Sequence, residues 1–93
     1  MEFDWDPAKA AANVAKHGIQ FEEAIRVFAD PDHIVEDSTR PEFGEERLLA
    51  VGQVTGVFIT TIFTNRSGAC RIISARRARR HERARYRQSQ TAT

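Results

Sequence analysis

The sequence predicts a small α+β domain whose helices segregate from an antiparallel sheet in the order β-α-α-β-β-β-β-α. Three observations carry that reading. The segments ERLLAVGQV, VFITTIF and CRIISAR are rich in β-branched residues and follow one another with only short turns between. Two stretches with helical spacing precede them. One arginine-crowded helical stretch follows. At 93 residues the chain suits a single domain, 1–93, with one modest core.

The elements can be justified in order. FDW, residues 3–5, reads as a short first strand. Asp6-Pro7 then starts a helix, because an Asp side chain accepts free backbone N–H groups at an N-cap and Pro is tolerated at the first helical position. Ala8, Ala11, Ala12 and Ala15 share one face of that helix, and their small size predicts close packing there. Gly18 ends it, with His17 in the last turn. Phe21, Ala24, Ile25 and Phe28 recur at i, i+3, i+4, i+7 and mark a second amphipathic helix, stopped by DPD at 30–32. HIVED, 33–37, reads as an edge strand, and STRPEFGE as a polar loop. The three long strands follow, turned by TG at 55–56 and NRSG at 65–68. The final helix starts near Ala78, with Glu82 and Tyr86 spaced to lock it to the domain, and frays into a disordered polar tail, QSQTAT, at 88–93. With two-residue loops at Thr55-Gly56 and Ser67-Gly68, Arg47 falls opposite Thr64, and Thr64 opposite Arg71. Both arginines then lie on one face at one end of the sheet.

Charge is divided along the chain. Residues 1–46 hold twelve acids and four bases, a net of −8, while residues 47–93 hold ten bases and one acid, a net of +9. Eight of the seventeen residues from 71 to 87 are arginine. Such asymmetry points to a polyanion partner for the second half, or to neutralisation between the halves within the fold. No apolar run approaches the ~20 residues that span a bilayer, and the acidic start lacks an apolar signal region, so a cytoplasmic protein without membrane contact is expected. The one cysteine, Cys70, reads as a small buried hydrophobe. His17, His33 and His81 are far apart and show no zinc-type spacing, so neither metal nor cofactor is expected.

Taken together, FDWDPAKAAANVAKHGIQFEEAIRVFADP, EERLLAVG and RIISARRARRHERARY resemble the BrnT family of toxins from bacterial type II toxin–antitoxin systems. The resemblance covers residues 3 to about 87. It implies a RelE-like fold, endoribonuclease activity, and neutralisation by an antitoxin with a ribbon-helix-helix DNA-binding domain. It further implies two toxins per antitoxin dimer, with operator DNA reached only through the antitoxin.

For such an enzyme, the expected chemistry is attack by the RNA 2′-OH on the adjoining phosphate. That needs a base, cations around the transition state and an acid for the leaving oxygen. Lys9, Asn13 and Lys16 form a polar helix face that borders an RNA groove or is simply solvated. Lys16 and His17 stand at the helix C-terminus, where the dipole favours a cation; His17 is the acid candidate or a plain cap. Glu46 is the carboxylate candidate, as base, as a group that orients an arginine, or as half of a surface ion pair. Arg71 and Arg76 bracket the apolar IISA, where an unpaired charge is costly. They either meet an acid, Glu46 being one choice, or face the site. Arg47, Arg77 and Arg80 extend a phosphate-binding edge, and Arg83, Arg85 and Arg87 read as a solvated face or an antitoxin contact. Trp5, Phe21 and Phe28 read as core, with base stacking the alternative for Trp5. An inactive binding module of the same fold is the competing reading. A DNA-binding regulator lacks a helix with Asn or Gln aimed at bases.

Overall fold

The computed structural model describes residues 2–91. Its elements are β1 (Phe3–Trp5), α1 (Pro7–His17), α2 (Phe21–Ala24) running on as a 3₁₀ helix (Ile25–Ala29), β2 (Ile34–Asp37), a 3₁₀ turn (Pro41–Phe43), β3 (Leu48–Val54), β4 (Val57–Arg66), β5 (Ala69–Arg77) and α3 (Arg80–Thr91). This is the α+β order read from the sequence. The five strands form one sheet in the order β1-β5-β4-β3-β2, so β2 is an edge strand as expected. All pairings are antiparallel except β1, which lies parallel to β5 and makes the sheet mixed.

The local signals act as expected at the helix ends and turns. Asp6 accepts the Ala8 N–H at 2.8 Å, and Gly18 closes α1 in the left-handed region with φ 70°. Both hairpins turn on two residues with positive φ: Thr55 at 51° with Gly56 at 79°, and Ser67 at 53° with Gly68 at 80°. That is the type I′ pattern, whose twist matches the flanking strands. The second helix departs from expectation. Phe21, Ala24 and Val27 are fully buried, a period of three, because the helix tightens to 3₁₀ after Ala24. At the other end, α3 continues through Gln88, Ser89 and Gln90 to Thr91, where a disordered tail was expected. Residues 92–93 of that expected tail lie outside the described residues. Among the described residues no helix is long and apolar enough to cross a membrane.

Two layers cover the sheet. Ile19, Phe21, Ala24 and Val27 pack on one face against Val54, Ile59, Phe63 and Ile72, with Trp5 set edge-on to Phe21 at 5.8 Å. On the opposite face Ala78 and Tyr86 pack against Val51, Ile34 and Phe58. Glu82 and Tyr86 are both buried and hold α3 in place.

α1 lies differently from the alanine-face expectation. Ala8, Ala11, Ala12 and Ala15 are all exposed, and the buried residue of the helix is Asn13. β1 covers only Cys70–Ile72 of β5, which leaves the backbone of Ala75 open at the sheet edge. Asn13 fills that gap. Its Nδ2 donates to Ala75 O at 2.9 Å, and its Oδ1 accepts from Ala75 N–H at 3.0 Å, as a paired strand residue would. Nδ2 also donates to Ile19 O at 2.9 Å. Asn13→Ala leaves these buried backbone groups unpartnered, with an expected loss of about 2–4 kcal/mol, seen as a lower urea midpoint at unchanged slope.

The register of β4 and β5 carries a bulge. Phe63 pairs with Ile72, but Ile62 pairs with Ser74, so Ile73 is the extra residue. Thr64 stands opposite Arg71, as expected, and Thr60 opposite Arg76. Thr60 and Thr64 are four apart on β4 and share a face. Arg71 and Arg76 therefore share it too, although five residues apart they would otherwise point to opposite faces.

Candidate active site

β5 is the spine of the site. At one end Arg71 lies in the open part of the α3-side face, beyond the cover of α3. Its side chain is 28% exposed, and its carboxylate partner is Asp4, across the β1–β5 pairing, at 3.4 Å. A long, exposed pair of this kind holds the guanidinium weakly.

Arg76 is held far more firmly. Its Nη1 and Nη2 donate to the two Glu82 carboxylate oxygens at 2.8 and 2.9 Å. Glu82 is 1% exposed and also accepts the Arg79 N–H at 2.7 Å and the Thr60 hydroxyl at 2.9 Å. Burial alone pushes this carboxyl up. The Arg76 fork, the Arg79 N–H and the Thr60 hydroxyl outweigh it and bring the pKa from 4.5 to about 2. Glu46, one choice of partner if these arginines meet an acid, pairs with neither. Instead Arg71 meets Asp4 and Arg76 meets Glu82, while Glu46 is exposed between the 3₁₀ turn and β3.

Beside the bulge runs a groove of about 190 Å³ between α1 and β5, lined by Lys9, Asn13, Lys16, His17, Ile73 and Ser74. Lys9 and Lys16 are exposed and His17 is half-buried. Asn13 is at its floor, committed to the backbone, so the predicted polar face is a lysine rim over a buried amide. Ile73 and Ser74 are two and three residues from Arg71, roughly 7–10 Å of strand. Arg47 stands one residue before the β3 ladder, in line with Thr64 and Arg71, its guanidinium over the Phe43 ring at 4.2 Å. Arg77 and Arg80 are exposed at the far end of β5 and the start of α3. They lie away from the groove.

The division of charge is settled partly within the fold. Three ion pairs join an acid of the first half to an arginine of the second: Asp4–Arg71, Glu45–Arg66 and Glu36–Arg85. Among the described residues Arg47, Arg77, Arg79, Arg80, Arg83 and Arg87 form no ion pair. Arg83 donates to Ala78 O, and Arg87 lies over the Phe58 ring. Cys70 is 3% exposed, and burial, with Asp4 nearby, pushes its thiol up to about 11, so it is an inert core group.

Sequence reasoning missed one cavity, of about 450 Å³, between the 30–32 turn, the β3–β4 hairpin and the end of α3. Asp30 anchors it, accepting the Gln53 N–H and the Tyr86 hydroxyl, each at 2.8 Å. Burial, then the Asp30 carboxylate, pushes the Tyr86 hydroxyl up to about 12. The DPD motif reads locally as a helix stop, and nothing in it announces a tyrosine fifty-six residues away.

The family described as the ribonuclease toxin BrnT of type II toxin–antitoxin systems matches residues 5–82, from Trp5 on β1 to the buried Glu82. No curated protein matches the chain.

Proposed function

The chain belongs to the BrnT family of type II toxin–antitoxin ribonuclease toxins, and from that premise we propose that it is a metal-independent endoribonuclease that cuts RNA by 2′-OH attack. The observation that carries the proposal is Arg71: a weakly held guanidinium on an open sheet face, next to a groove rimmed by Lys9, Lys16 and His17.

In this reading Arg71 grips the scissile phosphate, and its fork matches two phosphate oxygens as negative charge builds on them. Lys9 and Lys16 bind the neighbouring strand. His17 gives a proton to the departing 5′-oxygen, and Glu46 takes one from the 2′-OH, as the phosphate closes to a 2′,3′-cyclic ester. Arg76, whose fork is occupied by Glu82, positions α3 against β5. Arg47, Arg77 and Arg80 extend the phosphate-binding surface. The partner is an antitoxin with a ribbon-helix-helix domain, two toxins to each antitoxin dimer, in the cytoplasm; it alone touches operator DNA.

A binding module without catalysis is the second reading, favoured by the Glu82 clamp on Arg76. The test uses antitoxin-free protein and end-labelled single-stranded RNA in excess EDTA. Expected products carry a 2′,3′-cyclic phosphate and a 5′-hydroxyl, and a 2′-deoxy nucleotide at the cut site blocks cleavage. Cutting that requires a divalent cation overturns the mechanism. Binding without cutting moves the chain to the second reading.

A further inference from the structure

The loop between β2 and β3 is closed at its base. Ser38 N–H donates to Arg47 O at 2.8 Å, and Arg47 N–H donates to Thr39 Oγ1 at 3.0 Å. Within it the Pro41–Phe43 turn ends on Gly44, whose φ of 69° reverses the chain. This brings the half-buried Phe43 ring against the Arg47 guanidinium at 4.2 Å.

Two observations separate Arg47 from the other arginines near it. Arg66, Arg71, Arg76 and Arg85 each have a carboxylate within ion-pair distance, whereas Arg47 has none among the described residues. Its Nε is also buried with no hydrogen-bond acceptor among the described residues. Leaving that donor unbonded is unfavourable, and the ring contact with Phe43 offsets part of the cost. The guanidinium thus sits over a ring, with no carboxylate at ion-pair distance and Glu45 acting on it only from further off. Arg47 stands two strands from Arg71 along one register line, about 10 Å away, which is within the reach of one nucleotide.

We infer that Phe43 and Arg47 form a nucleobase subsite: the unpaired base next to the phosphate held by Arg71 stacks on this pair. The ligand class is single-stranded RNA, which offers a π-face to an aromatic ring and a phosphate to the cation. The inference rests on the ribonuclease reading and adds to it the element that selects where the strand is gripped.

The test measures binding of a short RNA made uncleavable by a 2′-deoxy nucleotide at the cut site. Phe43→Ala is expected to weaken binding roughly five- to a hundredfold. Phe43→Leu keeps the apolar volume without the π-face; it loses affinity similarly while keeping the wild-type melting temperature. Phe43→Trp restores affinity and, in a Trp5→Phe background, its fluorescence is quenched by the RNA. An abasic site at the stacked nucleotide abolishes the difference between wild type and Phe43→Ala. If wild type cuts RNA while Phe43→Leu binds and cuts with the same affinity and site pattern, the subsite is wrong and the ribonuclease reading stands. A Phe43→Leu protein impaired only in antitoxin binding also overturns it. If the antitoxin-free wild type neither binds nor cuts RNA, the ribonuclease reading falls and takes the subsite with it.

Discussion

Arg71→Ala is expected to lower the single-turnover rate of RNA cleavage by about 10²–10³-fold, the range seen when one charged or hydrogen-bonding group is removed from a transition state. The geometry makes this a clean test. Arg71 gives up only a 3.4 Å contact to a half-exposed Asp4, so its removal costs little stability. The melting temperature should stay near wild type while the rate collapses. Arg71→Lys keeps the charge but loses the two-pronged grip and is expected to fall between the two. Asp4→Asn frees the guanidinium from its competitor and is expected to cut at least as fast as wild type. A wild-type rate for Arg71→Ala would remove the phosphate-gripping role, whatever the other arginines do.

Glu82→Gln is the largest expected loss of stability, about 3–5 kcal/mol, the range for breaking a buried ion pair from one side. The amide keeps the shape but leaves Arg76, 17% exposed, without its counter-charge, and offers one oxygen where the carboxylate satisfies four donor groups. For a domain this size that is a drop of roughly 10–30 °C in melting temperature. The same carboxylate dictates behaviour in acid. Its folded pKa of about 2 lies below the ordinary 4.5. Its contribution is therefore present in full above the unfolded value and is lost as pH falls through the folded one. Stability should decline from about pH 5 to pH 2 by roughly 3 kcal/mol. In Glu82→Gln that slope should be largely absent. A variant as acid-sensitive as wild type would show that other carboxylates carry the effect.

The sequence displayed clearly whatever is decided by neighbours in the chain. Asp6 and Gly18 as caps, Thr55-Gly56 and Ser67-Gly68 as turns, and Glu82 with Tyr86 as the inward face of α3 all follow from short-range rules. What it hid is decided across the fold. Alanine counts as apolar and asparagine as polar, so periodicity turned α1 inside out. The vacant hydrogen-bonding edge of Ala75 reverses that assignment, because it needs an amide and not a methyl group. The sequence offers Arg76 a partner thirty residues upstream, Glu46 at the head of a strand, whereas the partner is Glu82. It sits six residues downstream because the chain doubles back into α3 at once. The open position of Arg71 was legible through the hairpin register, and the stack of Phe43 on Arg47 was not, because a loop closed by Thr39 has no repeating pattern to read.

Ile73 gives the strand a parity that length alone does not reveal. Were the strand to pair straight through this residue instead of bulging, everything after it on β5 would turn over. Ala75 would then present its methyl to Glu82, and Arg76 would be driven toward the apolar layer beneath. In a chain of ninety-three residues, the alignment of a whole helix with its sheet therefore depends on one residue being left out of the strand ladder.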